Sequence, residues 1–232
     1  MRVDLETIAR IGDGMRCQLA RFEHARSEGM PRRGWKVGIN VPEVQQQLGI
    51  AHAAVGWIDG RCVLDSNTIR PIPANARIHV EPELAVEVGE ARRDGVPSVT
   101  CVYPALELVD YAYPTRGLTD LIEHSMFHCA TVLGAAGTID QARALGGSLP
   151  TLTIGSEPTM PPRSGLVPAD PSELVAFVEA SLAHFAMTLD PGDLLLCGSY
   201  VAQPPRLRAG IRATADFGPL GSVSIHTAAA SA

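Results

Sequence analysis

The stretch His79-Val80-Glu81-Pro82-Glu83-Leu84-Ala85-Val86-Glu87-Val88 alternates with a period of two. Val80, Leu84, Val86 and Val88 fall on one face of a strand, and Glu81, Glu83 and Glu87 fall on the other. A helix would scatter both sets, so the pattern constrains this region to a sheet. Two carboxylates two residues apart point the same way, with Cβ atoms roughly 6–7 Å apart, twice the strand rise. Alone, the stretch reads either as a half-buried strand with an acidic solvated face, which Glu87 extends, or as two hard oxygen donors closing on one divalent cation.

A second strand shifts the balance. In Thr100-Cys101-Val102-Tyr103-Pro104-Ala105-Leu106-Glu107-Leu108-Val109-Asp110, residues Tyr103, Ala105, Glu107 and Val109 share one face, and Val102, Leu106 and Leu108 share the other. Both faces are apolar, which predicts burial on both sides. Glu107 is then a carboxylate inside a core. Such a charge costs several kcal/mol unless it is paired or metal-bound. The acidic strand beside it therefore reads as a ligand set.

Composition narrows the classes. In 232 residues, 46% hydrophobic and 19% charged content supports a sizeable core and argues against disorder. No apolar run approaches the roughly 18 residues of a membrane span, and Met1-Arg2-Val3-Asp4-Leu5-Glu6 lacks an apolar signal segment, so the expected compartment is the cytosol. Five scattered cysteines without a C-x-x-C read as reduced thiols. A net charge of −6 disfavours nucleic acid as a partner. No G-x-G-x-x-G or G-K-[ST] loop suggests a nucleotide.

Ile8, Ile11, Met15, Leu19 and Phe22 predict an amphipathic helix from about Asp4 to Glu28, weakened by Gly12 and Gly14 and ended by Gly29 and Pro31. Gly34-Trp35-Lys36-Val37-Gly38 is a short apolar strand whose lysine either snorkels to the surface or lies in a pocket for an anionic substrate. A short helix from Pro42 to Leu48 stops at Gly49. Asp59-Gly60 is a turn signal. Arg61–Leu64 and Thr68–Ile72 are strand candidates, the second held to an edge by Pro71 and Pro73. A turn is expected at 92–95. Thr119 caps an expected helix from Asp120 to Leu133, stopped by Gly134. On it, His124 and His128 stand four apart, a zinc-compatible spacing, but the order is not H-E-x-x-H and no third ligand is evident. Residues 135–170 read as loops with short strands. Asp170-Pro171-Ser172-Glu173 starts a helix striped by Leu174, Phe177, Val178, Leu182, Phe185 and Leu189. Leu194–Cys197 is a buried strand ending in Gly198-Ser199, without the G-x-S-x-G context of a serine nucleophile. Ile211–Phe217 and Ser222–His226 form a terminal hairpin, with Thr227–Ala232 expected to fray.

In this order, Gly34-Trp35-Lys36-Val37-Gly38, Glu81-Pro82-Glu83-Leu84-Ala85, Tyr103-Pro104-Ala105-Leu106-Glu107-Leu108-Val109-Asp110, Leu196-Cys197-Gly198-Ser199 and Leu220-Gly221-Ser222-Val223-Ser224 resemble the 2-hydroxypentadienoate hydratase and 4-oxalocrotonate decarboxylase group of the fumarylacetoacetate hydrolase superfamily. The resemblance runs from about Arg33 to His226. It implies an α+β fold, a mixed β-roll over 76–232 with a small N-terminal α/β lobe over 1–75, with one continuous domain as the alternative. It also implies a magnesium or manganese site on Glu81, Glu83 and Glu107, which agrees with the alternation and burial of those residues. The family lysine falls on Lys36, its acidic residue on Asp59, and its small hydroxyl residue on Ser199. Where many relatives carry Asp-Asn-x-Ser, this chain has His124-Ser125-Met126-Phe127, and the arginine often found after the third carboxylate is replaced by Asp110-Tyr111-Ala112-Tyr113. These departures place His124 and Ser125 among the candidate substrate contacts.

The expected function is a divalent-metal-dependent lyase, a hydratase, on a small anionic 2-oxo or 2-hydroxydienoic acid. In it the ion stabilises an enolate, Lys36 holds substrate charge or shuttles a proton, Asp59 positions water and Ser199 hydrogen-bonds substrate. Alternatives on the same site are a 2-oxo acid decarboxylase, a tautomerase, a C–C hydrolase or a biosynthetic dehydratase or cyclase; another is a non-catalytic partner subunit. The resemblance further implies a homo-oligomer, with a complex with a related subunit open.

Overall fold

The computed structural model describes residues 2–92, 95–145, 148–158 and 162–230. The central pair of strands, β5 (Ile78–Ala91) and β6 (Pro97–Asp110), is antiparallel, with Glu81 directly opposite Glu107 and Glu83 opposite Ala105. Arg93 and Asp94 of the expected connecting turn lie outside the described residues.

Around this pair the sheet grows to seven strands. On one side β10 (Leu194–Leu196) pairs with β5, then β1 (Arg32–Gly38) with β10, then β2 (Ala54–Asp59) with β1. On the other side β7 (His128–Leu133) pairs with β6, and β3 (Val63–Asp65) with β7. The β1–β10 and β3–β7 pairs are parallel and the rest antiparallel, so the sheet is mixed. Strands β1 and β2, from the first 75 residues, are hydrogen-bonded into the same sheet as β5 and β6. A second sheet orders β4 (Ile69–Ile72), β12 (Ser222–Ala229), β11 (Arg212–Asp216), β8 (Thr151–Ile154) and β9 (Glu157–Pro158), with Pro71 on the edge strand.

The even-numbered face of β5 and β6, with Val80, Leu84, Val86, Val102, Leu106 and Leu108, packs in one cluster with Ala213, Val223 and Ile225 of the second sheet and Leu174 and Phe177 of a helix, α5 (Pro171–Ala183). The odd-numbered face is buried as well, under a smaller cluster of Ile58, Ala85, Ala105, Leu194 and Leu196. Both central strands are thus inside the protein, and the acidic row lies on an interior face.

The first helix, α1 (Leu5–Ser27), runs unbroken from its Asp4 cap through Gly12 and Gly14. Gly14 is required by contact rather than flexibility: a Cβ there would come within 2.7 Å of the Thr119 carbonyl and 2.8 Å of Ile122 Cβ. These residues belong to α3 (Leu118–Glu123), which packs against α1. Helix α2 (Pro42–Leu48) ends in a left-handed Gly49, as read from sequence.

Four expectations fail. Helix α5 ends at Ala183, so Phe185 and Leu189 lie beyond the helix they were expected to stripe. The helix from Asp120 to Leu133 stops at Glu123; Ser125, Met126 and Phe127 then take left-handed φ values of 49°, 52° and 61°, and the chain enters β7. The pairing of Thr131 with Glu107 and Val132 with Leu106 overrides the helical spacing. Within 135–170, a capping box between Thr138 and Gln141 starts a short helix, α4 (Ile139–Arg143). Finally, residues expected to fray continue β12 to Ala229, because Thr227 and Ala228 pair with Arg70 and Pro71; Ser231 and Ala232 lie outside the described residues. No helix among the described residues is long and apolar enough to cross a membrane.

Candidate active site

Strand register explains how the site assembles. Lys36 on β1 aligns with Leu196 on β10, which aligns with Ala85 on β5, so Lys36 shares the face that carries Glu83 and Glu81. Glu107 enters from β6 on the same face, opposite Glu81 and diagonal to Glu83. Small Ala105 opposite Glu83 leaves room between them. One oxygen from each of Glu81, Glu83 and Glu107 lies within 4.8 Å of the others.

The contacts of these oxygens are unequal. Glu107 Oε1 accepts from Lys36 Nζ and lies 2.9 Å from His128 Nδ1. Glu83 Oε2 accepts from the Gly198 amide at 2.9 Å. The Tyr111 and Ser199 hydroxyls both lie beside Glu81 and favour its charged form. Glu107 Oε2 and Glu83 Oε1 are buried with no protein partner. A buried carboxylate oxygen without a donor costs about 1–3 kcal/mol or more, so two of them in one cluster call for a cation or a proton.

Electrostatics say the same. Burial, then the charge of Glu107, pushes Glu81 up to about 7 against the pull of Lys36. Burial and the charges of Glu107 and Glu81 raise Glu83 well above the carboxylate range. Burial would raise Glu107 too, but Lys36 and His128 outweigh it and hold Glu107 below its ordinary value. Burial disfavours the Lys36 ammonium, but Glu107, Glu81 and Glu83 more than restore it. Burial thus holds protons on Glu81 and Glu83; with all three carboxylates ionised against one ammonium, the excess of two negative charges is what a divalent cation would balance in place of those protons. The donor set is all oxygen, as magnesium and manganese prefer.

Lys36, Glu81 and Ser199 line one cavity of about 220 Å³. Gly198 brings Ser199 there through a left-handed turn, φ +94°, where a Cβ would press on Asn40 at 3.0 Å. The Asn40 amide holds the turn by donating to the carbonyls of Leu166 at 3.0 Å and Ser199 at 2.8 Å.

Asp59, His124 and Ser125 line a different cavity, of about 230 Å³, together with His128. Asp59 is engaged by Arg61, whose Nη2 lies 2.6 Å away. His124 faces outward with Nδ1 2.9 Å from the Asp120 carbonyl. Ser125 Oγ is buried without a partner. The structure therefore groups Lys36, Glu81, Glu83, Glu107 and Ser199, and sets Asp59, His124 and Ser125 apart from them.

Sequence reasoning missed His128, Tyr111 and Asn40 as members of the site. His128, its side chain 3% exposed, was hidden by the expected helix. The β-branched Thr131-Val132 behind it was the available signal for a strand. Tyr111 occupies the segment where the expected arginine is missing, and its ring sits between His79, at 4.9 Å, and Phe127, at 6.3 Å.

No family model matches the chain. Among solved structures, 4-oxalocrotonate decarboxylase from Pseudomonas putida, complexed with calcium and acetate, is similar at a TM-score of 0.80 and 18% identity, over 94% of this chain and 85% of that one. The chain has the fold of the fumarylacetoacetate hydrolase superfamily. The same decarboxylase complexed with magnesium and adipate is similar at a TM-score of 0.79 and 15% identity, over 94% of this chain and 86% of that one. Fumarylpyruvate hydrolase from Pseudomonas aeruginosa, with Mn2+ and pyruvate, follows at 0.59 and 15% identity, over 87% and 91%. The superfamily resemblance carried by the motifs and this likeness in fold meet on one architecture.

Proposed function

We propose that the protein is a divalent-metal-dependent lyase acting on a small 2-oxo acid or its enol, with hydration as its reaction. The observation that carries this is the convergence of Glu81, Glu83 and Glu107 within 4.8 Å, two of their buried oxygens having no partner, beside a cavity that Lys36 also lines. In this reading Glu81, Glu83 and Glu107 hold Mg2+ or Mn2+. When bound, the ion supplies Lewis acidity toward the carboxylate and 2-oxo oxygens of a substrate and offsets the negative charge that grows there during proton transfer.

The chain's own residues do the rest. Lys36 Nζ, fixed by Glu107, lines the cavity, holds a proton and meets the anionic end of the substrate. Ser199 and Tyr111, beside Glu81, orient the substrate through their hydroxyls. His128 acts through Glu107, fixing its Oε1 and leaving Oε2 free to help hold a metal ion. Phe127 and Val109 shield the reacting atoms from bulk water.

Decarboxylation is the second reading, favoured by the TM-score of 0.80 to a decarboxylase against 0.59 to a hydrolase. The test is product analysis with Mg2+ present. Consumption of 2-hydroxypenta-2,4-dienoate to its hydrated product supports the first reading, and CO2 release from 4-oxalocrotonate supports the second. Full activity in chelator, with no divalent ion bound, sinks both.

A further inference from the structure

Strands β1 and β10 run side by side as far as Lys36 and Leu196. Just beyond, each chain leaves the ladder through a left-handed residue, Ile39 at φ +57° and Gly198 at φ +94°. Glycine adopts that conformation freely, whereas a β-branched isoleucine holds it only where its surroundings dictate it. At Ile39 they do: Gln45 Nε2 donates to its carbonyl at 2.8 Å, and the next residue, Asn40, reaches across the gap between the two chains.

The turn that Asn40 meets grips β5 around Glu83. The Cys197 amide donates to the Leu84 carbonyl at 2.9 Å and the Tyr200 amide to the Pro82 carbonyl at 3.1 Å. Between them the Gly198 amide donates to Glu83 Oε2 at 2.9 Å. Asn40 Nδ2 fastens this turn to β1 through the Ser199 carbonyl, and through the Leu166 carbonyl it also fastens segment 162–169. That segment has a second tie to the turn, from the Arg163 amide to the Tyr200 carbonyl at 2.8 Å. Shape alone would not serve at position 40. A leucine could fill the space but would take the donor from both carbonyls.

We propose that Asn40 is a positioning residue for the metal centre, an inference that rests on the metal-site reading above. It holds the 197–200 turn so that the Gly198 amide pins one oxygen of Glu83 and leaves the other, unpartnered one to the ion. It also ties segment 162–169 to ion binding. Such coupling is reciprocal: an ion that fixes Glu83 tightens the turn and the segment as well.

The experiment is calorimetric titration of the wild type and Asn40→Asp with Mg2+ alone. The aspartate keeps the shape and removes both donors. Mg2+ affinity is expected to fall about tenfold, the low end of what is lost with a partner of a metal ligand, although the added negative charge by itself favours the cation. A merely structural role would lower the melting temperature and leave the Mg2+ affinity of the folded protein unchanged, and that result overturns the proposal. A second measurement needs no variant and decides alone if Asn40→Asp does not fold. In the wild type, Mg2+ is expected to slow solvent exchange of the Asn40 side-chain amide protons and of the Arg163 backbone amide together with that of Gly198, read by NMR. Mg2+ that protects Gly198 alone overturns the proposal and leaves the metal-site reading standing. Wild-type protein that binds no Mg2+ in the calorimeter removes that reading, and the role of Asn40 with it.

Discussion

On one side of Glu107, Lys36 reaches it from a cavity with apolar walls and orphaned carboxylate oxygens at its polar end. On the other side, His128 reaches the same oxygen from a cavity of similar size lined by Arg21, Asp59, Glu123 and His124. In the second cavity the charges answer one another: Asp59 pairs with Arg61, and Arg21 lies 3.5 Å from Glu123. In the first they do not, since three carboxylates share one ammonium and two of their buried oxygens have no partner. Volume does not separate the two, at about 220 and 230 Å³, but unbalanced charge does. A cavity whose charged groups are satisfied internally supports its neighbour; one that leaves buried oxygens unpaired is prepared for a ligand.

The contrast breaks most easily at the shared carboxylate. Glu107→Ala strands the Lys36 ammonium in the interior and is expected to cost about 3–5 kcal/mol of stability and to abolish divalent-ion binding; denaturant unfolding and elemental analysis check both. Lys36→Met separates chemistry from ion binding. It should lower kcat about a hundredfold to ten-thousandfold while Mg2+ affinity holds or rises, because a positive charge has left the site. Gly14→Ala tests the scaffold beneath both cavities. Its Cβ would collide with Thr119 and Ile122, so a loss of about 1–3 kcal/mol in unfolding free energy is expected.

Acidity sharpens the comparison further. In the metal-free protein Glu81 titrates at about 7 instead of 4.5. The folded protein then keeps a proton that the unfolded chain releases, so this contribution to stability is present below pH 4.5 and is lost as pH rises through about 7. A divalent ion takes the proton's place. Its affinity should rise with pH over the same window, with proton release visible as a buffer-dependent binding heat. Melting curves at pH 5 and pH 8, with and without Mg2+, give the complementary readout. The smallest effect is expected on the far side: Asp59→Asn, breaking a partly exposed ion pair, should leave kcat/KM within about threefold. A loss of a hundredfold would bring Asp59 into the machinery and erase the distinction between the two cavities.

The central strands were legible because period-two alternation over Val80–Val88 admits no other element, and because Glu107 between Leu106 and Leu108 had to be buried. Proline and glycine punctuation similarly located α2 and the start of α5. The segment 118–133 was not legible. His124 and His128 four apart, Leu121 and Ile122, and Val132 and Leu133 satisfy a helix locally, and only pairing with β6, distant in sequence, overrides it. Which side of Glu107 each polar residue would face was hidden for the same reason. Lys36 could be assigned to a strand, but its partner is 71 residues away and depends on β10 being inserted between β1 and β5.

The three left-handed residues between α3 and β7 have a further consequence. Holding Ser125, Met126 and Phe127 in that conformation costs about 1–2 kcal/mol each, which the burial of Met126 and Phe127 helps to offset. The same contorted hinge delivers Phe127 to one chamber and Ser125 and His128 to the other. Lying outside the ladders of both sheets, it is a place where evolution, or an engineer, can retune two linings at once while the metal cradle stays put.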